Sequence, residues 1–255
     1  MIAADLALAL DPVRLAARAG LDPDPWQADL LRSEARQAIL LCSRQSGKST
    51  TTAILATHQA VYTPNSLVLL LSPSLRQSQE LYRKVRDVYA AVGGDVPRPS
   101  EESALRLELA NGSRVVSLPG KEATVRGFSG VALLIVDEAS RVPDALYQAV
   151  RPMLAVSGGR LVLLSTPFGK RGFFHQEWSA GGLGWKRVKV TAADCPRIPA
   201  DWLAEERATI GDWWFDQEYR CEFKDAVDSY FRGEDIEAMA SADIRPLFAG
   251  VTDAA

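Results

Sequence analysis

The chain has 255 residues, 47% of them hydrophobic and 24% charged, and its 29 Lys and Arg against 32 Asp and Glu leave a formal charge of −3. That composition excludes overall disorder, collagen and coiled coil, and the near balance of charge means that a nucleic-acid or membrane partner must be met by a local patch. Three cysteines (Cys42, Cys195, Cys221) and two histidines (His58, His175) lie far apart without a CxxC or CxxH pairing, which argues against a disulfide framework or a Cys/His metal site and fits a reducing cytosol.

The opening MIAADLALALD places Asp5 and Asp11 where a signal peptide needs basic residues and an uninterrupted apolar core. No apolar stretch exceeds Val131 to Val136, far below the roughly 20 residues of a membrane helix. A soluble protein is expected, with one large domain and an appendage. Asp11-Pro12 reads as a helix N-cap and first helical residue, with Gly20 as the stop, and Asp24-Pro25 repeats the start signal before Trp26, Gln27, Leu30 and Leu31. Ala38 to Leu41 is a short apolar run, followed by the polar Cys42 to Ser49 and an Ala- and Thr-rich helix to about Tyr62. Leu67 to Leu71, Val131 to Val136 and Leu161 to Leu164 repeat the pattern of buried parallel strands. Each run ends in a polar loop, where open α/β sheets bind ligands. Ala104 to Leu109 alternates, Asn111-Gly112 predicts a type I′ turn, and Arg114 to Leu118 returns, together a hairpin extending the sheet in antiparallel fashion. Helices are predicted around Trp202 to Ile210 and Trp213 to Glu222. Charge is partitioned: residues 160–190 carry a net +5 and residues 194–245 a net −8.

Cys42 to Ser49 matches GxxxxGK[ST] except at its first position, where Cys replaces Gly. In that motif the backbone amides of Ser43, Arg44, Gln45, Ser46 and Gly47 and the helix N-terminus through Thr50 wrap a polyphosphate, Lys48 reaches the terminal phosphates and the Ser49 hydroxyl ligates Mg²⁺. The position between a predicted strand and a predicted helix is the context the motif requires. Val131 to Ser140 is an apolar strand ending in two carboxylates, which places Asp137 near Mg²⁺ and Glu138 where it polarises an attacking water. Trp26 and Gln27 are candidates to stack on and pair with adenine; the alternative is a core tryptophan and a solvated glutamine. Arg126, on a glycine-flanked loop twelve residues before Glu138, is a candidate to reach a γ-phosphate in cis or on a neighbouring subunit, or else a plain surface arginine. Ser165-Thr166-Pro167, at the end of the last strand, either senses the γ-phosphate or caps a helix. The basic residues Lys170, Arg171, Lys186, Arg187 and Lys189 form a DNA contact, a solvated face or a contact with an acidic neighbour.

The ensemble of these segments resembles the large terminase subunit of tailed double-stranded DNA phages, in its N-terminal ATPase part. The matching segments are Pro25-Trp26-Gln27, Ser43 to Ser49, Ser72 to Ser78, Leu118-Pro119-Gly120 with Arg126-Gly127, Val136 to Ala139, Ser165 to Gly169 and Gln217 to Phe223. The resemblance implies an α/β P-loop NTPase fold of the RecA/ASCE-like kind: a mostly parallel sheet flanked by helices over residues 1–193, a small C-terminal helical lid or linker over 194–248 and a tail over 249–255. It implies ATP and Mg²⁺ as ligands, Arg44 beside Lys48 on phosphate, Gln27 on adenine, Asp137 on Mg²⁺ and Glu138 as base. Arg126 falls on an arginine acting in trans between ring subunits, and Ser165, Thr166 and Pro167 on an ATP-coupling motif. The implied partners are double-stranded DNA, a small terminase subunit, a portal protein and further copies in a ring, with a monomer conceivable in isolation and no membrane. The implied location is the cytoplasm of an infected bacterium and not the mature virion. The chain stops at about the first acidic strand of the nuclease that follows in this family, and Asp253 alone does not hold two metals, so no nuclease activity is expected. A DEAD-box-like helicase fragment shares the glutamine, the Asp-Glu-Ala box and the third motif, and a nucleotide-switched binding module is the rival outside enzymes.

Overall fold

The computed structural model describes residues 2–94, 96–120 and 127–225. Arg126, residues 226–248 of the expected lid and the 249–255 tail lie outside the described residues. In chain order the elements are α1 (Ile2–Leu10), α2 (Pro12–Arg18), α3 (Pro25–Arg32), β1 (Gln37–Cys42), α4 (Lys48–Tyr62), β2 (Leu67–Ser72) and α5 (Leu75–Val92). Then come β3 (Pro99–Glu102), β4 (Arg106–Leu109), β5 (Arg114–Pro119), β6 (Val131–Asp137), α6 (Asp144–Val150), β7 (Arg160–Ser165) and α7 (Gly172–Ala180). β8 (Trp185–Val190), α8 (Ala200–Ile210) and α9 (Asp212–Glu218) complete them.

The four apolar runs become β1, β2, β6 and β7, inside an eight-stranded sheet of order β3-β4-β5-β2-β6-β7-β1-β8. From β5 to β8 all neighbours are parallel; β4 and β3 extend that edge antiparallel. The strand period divides the core into two layers. Ala38, Leu40, Val68, Leu70, Leu133, Ile135, Val162 and Leu164 pack under Leu15, Leu30, Ile54 and Val85 of α2 to α5. Their alternates Ile39, Leu41, Leu69, Leu134, Val136, Leu161 and Leu163 pack against Leu146, Tyr147, Phe173 and Phe174 of α6 and α7. Both faces are covered, which is why the strands read as unbroken apolar runs. The start signals hold: Asp11 accepts from the Val13 N–H at 3.0 Å, Asp24 and Gln27 form a reciprocal capping box, and the Gly20 and Leu21 amides return to Ala17 and Ala16 at the end of α2. All three cysteines are buried and unbridged. Among the described residues, no helix is long and apolar enough to cross a membrane.

Two local expectations are corrected, and one strand that the sequence pattern does not predict is added. The turn between β4 and β5 is not type I′: among its central residues only Gly112 has positive φ (81°), and the Gly112 N–H closes back on the Leu109 carbonyl at 2.9 Å. It is a three-residue loop, a type I turn finished by a left-handed glycine. The last helix ends at Glu218 rather than Glu222, because Cys221 takes a left-handed backbone (φ 57°). The basic stretch around Lys186 forms β8, an edge strand beside β1, whose charges blunt the open edge and hide it from an apolar-run reading.

The two-layer core predicts that Leu134→Ala, at a site 1% exposed, lowers the unfolding free energy by about 3 kcal/mol. Leu183→Ala, at a fully exposed position, changes it by less than about 0.5 kcal/mol. Urea unfolding followed by tryptophan fluorescence measures both.

Candidate functional site

The order β6-β7-β1 brings three strand ends to one edge, because Leu41 pairs with Ser165 and Asp137 with Leu164. The loop after β1 is tied down before any ligand arrives. The Ser43 N–H donates to the Val190 carbonyl of β8 at 2.8 Å, and the buried Ser46 hydroxyl donates to the Ser43 carbonyl at 3.0 Å. Gln45 (φ 59°) and Gly47 (φ 86°) take left-handed backbone. At Gly47 a side chain is doubly penalised, since a Cβ would lie 2.6 Å from Gln27 Nε2. Gly47 caps the 15-residue α4, whose N-terminal amides in Lys48, Ser49 and Thr50 have no partners within the helix and form an anion cradle.

At the mouth of this loop the motif residues converge. Ser49 donates its hydroxyl to Asp137 Oδ2 at 3.2 Å, and Lys48 Nζ lies 3.5 Å from Glu138 Oε1. Asp137 is buried at the end of β6, and burial first, then the neighbouring Glu138 carboxylate, pushes its carboxyl up to about 6 against the opposing pull of Lys48. A carboxylate in that condition favours a cation beside it, and the Ser49 and Asp137 oxygens are the hard donors Mg²⁺ prefers. Glu138 sits at φ 49°, a strained backbone for a side chain with a Cβ, held by its own N–H donating to Asp137 Oδ1 at 3.0 Å. Beside it Ser165 Oγ lies 3.5 Å from Glu138 Oε2. Ser140 Oγ lies 2.6 Å from Ser165 Oγ and donates to the Thr166 carbonyl at 2.9 Å. Pro167 leads from there to Phe168, whose ring meets the guanidinium groups of Arg141 (4.2 Å) and Arg171 (4.7 Å).

Upstream, Gln27 is buried with both ends of its amide engaged: Oε1 accepts from the Asp24 N–H at 2.8 Å and Nε2 donates to the Ser46 carbonyl at 3.4 Å. It braces the phosphate loop. Trp26 is partly buried and packs on the core layer under α2 to α5, with its indole nitrogen buried and unpaired. The contacts that sequence reasoning misses come from far along the chain. Arg197 makes a two-pronged ion pair with Asp24 at 2.8 and 2.7 Å and also reaches the Ser46 carbonyl at 3.4 Å. Arg44 donates from Nε to Glu218 of α9 at 2.6 Å, and Arg141 stands 3.9 Å from the other Glu218 oxygen. A groove of about 630 Å³ beside the loop is lined by Arg44, Gln45, Arg197, Ile198, Pro199, Trp202 and Tyr219. Glu218 and Tyr219 lie in a segment that the sequence singles out, though without a role; Arg197, Ser140 and Arg141 carry no spacing signal.

The basic residues do not form one free face. Arg187 is committed to three carbonyls, of Glu177, Trp178 and Gly182, around the end of α7. Lys186 pairs with Asp29 at 2.6 Å and Lys170 with Asp225 at 3.3 Å. Lys189 is exposed and, among the described residues, without an ion pair.

The family described as "Terminase large subunit, T4likevirus-type, N-terminal" matches residues 39–238. The large terminase subunit of Thermus virus P23-45 is 26% identical over 251 residues, covering 85% of this chain and 52% of that protein. The large terminase ATPase domain of Thermus phage P74-26 superposes with a TM-score of 0.73 at 22% identity, covering 82% of this chain and 96% of that one. The large terminase of another thermophilic bacteriophage, in complex with ATP-gamma-S, superposes with a TM-score of 0.62 at 12% identity, covering 78% of this chain and 52% of that one. The last two likenesses speak for the fold, and the chain spans about half the length of the Thermus terminase relatives it matches. With the family match running through the phosphate loop, both carboxylates and Glu218, the chain belongs to the terminase large subunit family and corresponds to its N-terminal part.

Proposed function

We propose that this chain is the ATP-hydrolysing motor domain of a terminase that drives double-stranded DNA into a procapsid. The observation that carries the reading is the convergence of Lys48, Ser49, Asp137 and Glu138 on one strand edge beside an anion cradle. The polyphosphate lies on the amides of Ser43 to Thr50, with Lys48 on its terminal groups. Ser49 and Asp137 would hold Mg²⁺, which when bound offsets phosphate charge. Glu138 accepts the proton of the attacking water as its oxygen adds to the γ-phosphorus and the bond to the β-phosphate bridging oxygen breaks. Arg44 exchanges Glu218 for phosphate, which couples nucleotide arrival to α9. The groove beside Trp202 and Tyr219 takes the adenine, with Gln27 holding the loop in place behind it. The ATP-gamma-S complex of the thermophilic phage terminase supports a nucleoside triphosphate as ligand.

Arg126 of a neighbouring copy completes the charge at the γ-phosphate in an assembled ring. The small terminase subunit and the portal protein are the other partners of that ring, which works in the cytoplasm of an infected bacterium. Lys189, Arg171 and Lys170 are the basic residues best placed to meet the DNA backbone. Ser165, Thr166 and Pro167 transmit loss of the γ-phosphate, through Phe168, to Arg141 and Glu218.

Steady-state ATP hydrolysis over a wide range of protein concentration tests the reading. Glu138→Gln is expected to lose at least about 100-fold in turnover with ATP binding kept, and specific activity to climb with concentration and collapse in Arg126→Ala. Activity flat with concentration and unchanged by Arg126→Ala returns the chain to a self-contained ATPase or helicase fragment. Trp202→Ala is expected to weaken binding of ATP about tenfold and to leave inorganic triphosphate binding unchanged, read by competition titration. For Asp137, a folded-state carboxyl near 6 against 3.8 unfolded means that the folded form binds the proton more tightly, so stability falls as pH rises from about 4 to 6. Asp137→Asn therefore raises the melting temperature of nucleotide-free protein at pH 7.5 and leaves it unchanged at pH 3.5, while abolishing hydrolysis.

A further inference from the structure

The contacts around Ser140 and Ser165 outnumber their hydrogens. Each hydroxyl carries one proton to donate, yet three contacts compete for the two: Ser140 to the Thr166 carbonyl (2.9 Å), Ser140 to Ser165 (2.6 Å) and Ser165 to Glu138 Oε2 (3.5 Å). The two short contacts take both hydrogens. Ser140 then donates to the Thr166 carbonyl and Ser165 donates to Ser140, so Ser165 turns a lone pair toward Glu138 and that carboxylate stays open. The opposite order uses the same heavy atoms. If Ser140 lets go of the Thr166 carbonyl and donates to Ser165, the Ser165 hydrogen swings onto Glu138 and occupies an oxygen that the attacking water needs.

Resting on the reading of Glu138 as the base, we infer that Ser140 is a positioning residue that gates Glu138 through the direction of this two-hydroxyl chain. The Thr166 carbonyl is the control point: it lies at the end of β7, one residue before Pro167, so a shift of the strand end that lengthens the 2.9 Å contact reverses both hydroxyls at once. Ser140 touches neither nucleotide nor water in this role. It sits in the short 3₁₀ turn Ala139–Arg141, next to the strained Glu138 backbone.

The test is ATP turnover in the full chain, at a protein concentration where specific activity has levelled off, with binding and melting temperature measured alongside. Ser140→Ala removes the acceptor that keeps the Ser165 hydrogen away from Glu138, so kcat falls about tenfold while KM and melting temperature stay near wild type, a split expected when only the transition state loses an interaction. Ser140→Thr restores kcat, and Ser140→Val, of the same shape without the hydroxyl, does not. In a Ser165→Ala background the Ser140→Ala change has no further effect beyond about twofold, since residues in one network are not additive. The inference is overturned if Ser140→Ala keeps wild-type kcat, if Val rescues as well as Thr, or if the loss is undiminished in the Ser165→Ala background. Glu138→Gln run in parallel separates the layers: wild-type turnover there removes the base reading and the gate with it, whereas a dead Glu138→Gln beside an unaffected Ser140→Ala removes the gate alone.

Discussion

A parallel sheet covered on both faces leaves its chemistry at the strand ends, and here the decisive constraint is the insertion of β7 between β1 and β6. The pairing register fixes the phosphate loop, the two carboxylates and Ser165 on one edge to within a residue. Everything else in the site is adjusted to that edge. Helix α4 is aimed by Gly47, Gln27 braces the loop from behind, and Ser43 is hydrogen-bonded across to β8. A one-residue slip of β7 would exchange core and loop partners throughout, which the interlocking layers of Ile39, Leu163, Leu134 and their alternates oppose.

The parts of this arrangement legible in the sequence are those written in short, contiguous signals. Lys48-Ser49 follows an apolar run, Asp137-Glu138 closes one, and Ser165-Thr166 closes another, so strand identity and chemical role are readable together. The caps at Asp11 and Asp24 are readable because one side chain and the next helical turn suffice. What stays hidden depends on contacts across the chain. Arg44 and Glu218 are 174 residues apart, and Arg197 and Asp24 are 173; neither pair has a local spacing to betray it. β8 escapes notice because three of its six residues are charged, two of them adjacent, so that it shows neither an apolar run nor a clean alternation, and Arg187 reads as available because its three carbonyl partners lie in a helix end and a turn that carry no motif. Trp26 and Gln27 show the remaining limit: their residue types suit a base pocket, but only packing decides between stacking and bracing.

The helices after Thr191 are bound to the loop by charge more than by apolar contact. Phe215, Tyr219 and Ala192 make a small core of their own, and Glu218 pairs with Arg44 and stands beside Arg141. Such a joint is built to be exchanged. In the proposed motor an incoming phosphate competes with Glu218 for Arg44, and the carboxylate it releases keeps Arg141, which stacks on Phe168 beside the Ser165 turn. The phosphate loop, the helices after Thr191 and the end of β7 are thus joined through shared residues.

The buried thiols carry a practical consequence. Cys42, Cys195 and Cys221 are all shut away from solvent, and burial pushes the Cys221 thiol up to about 12 and the other two upward as well, so the thiolate that alkylating reagents attack is scarce at neutral pH. Slow labelling of the native protein by maleimides is the expected result. A single cysteine introduced on an exposed position such as Leu183 or Val156 is therefore expected to take a fluorophore selectively without removal of any native thiol.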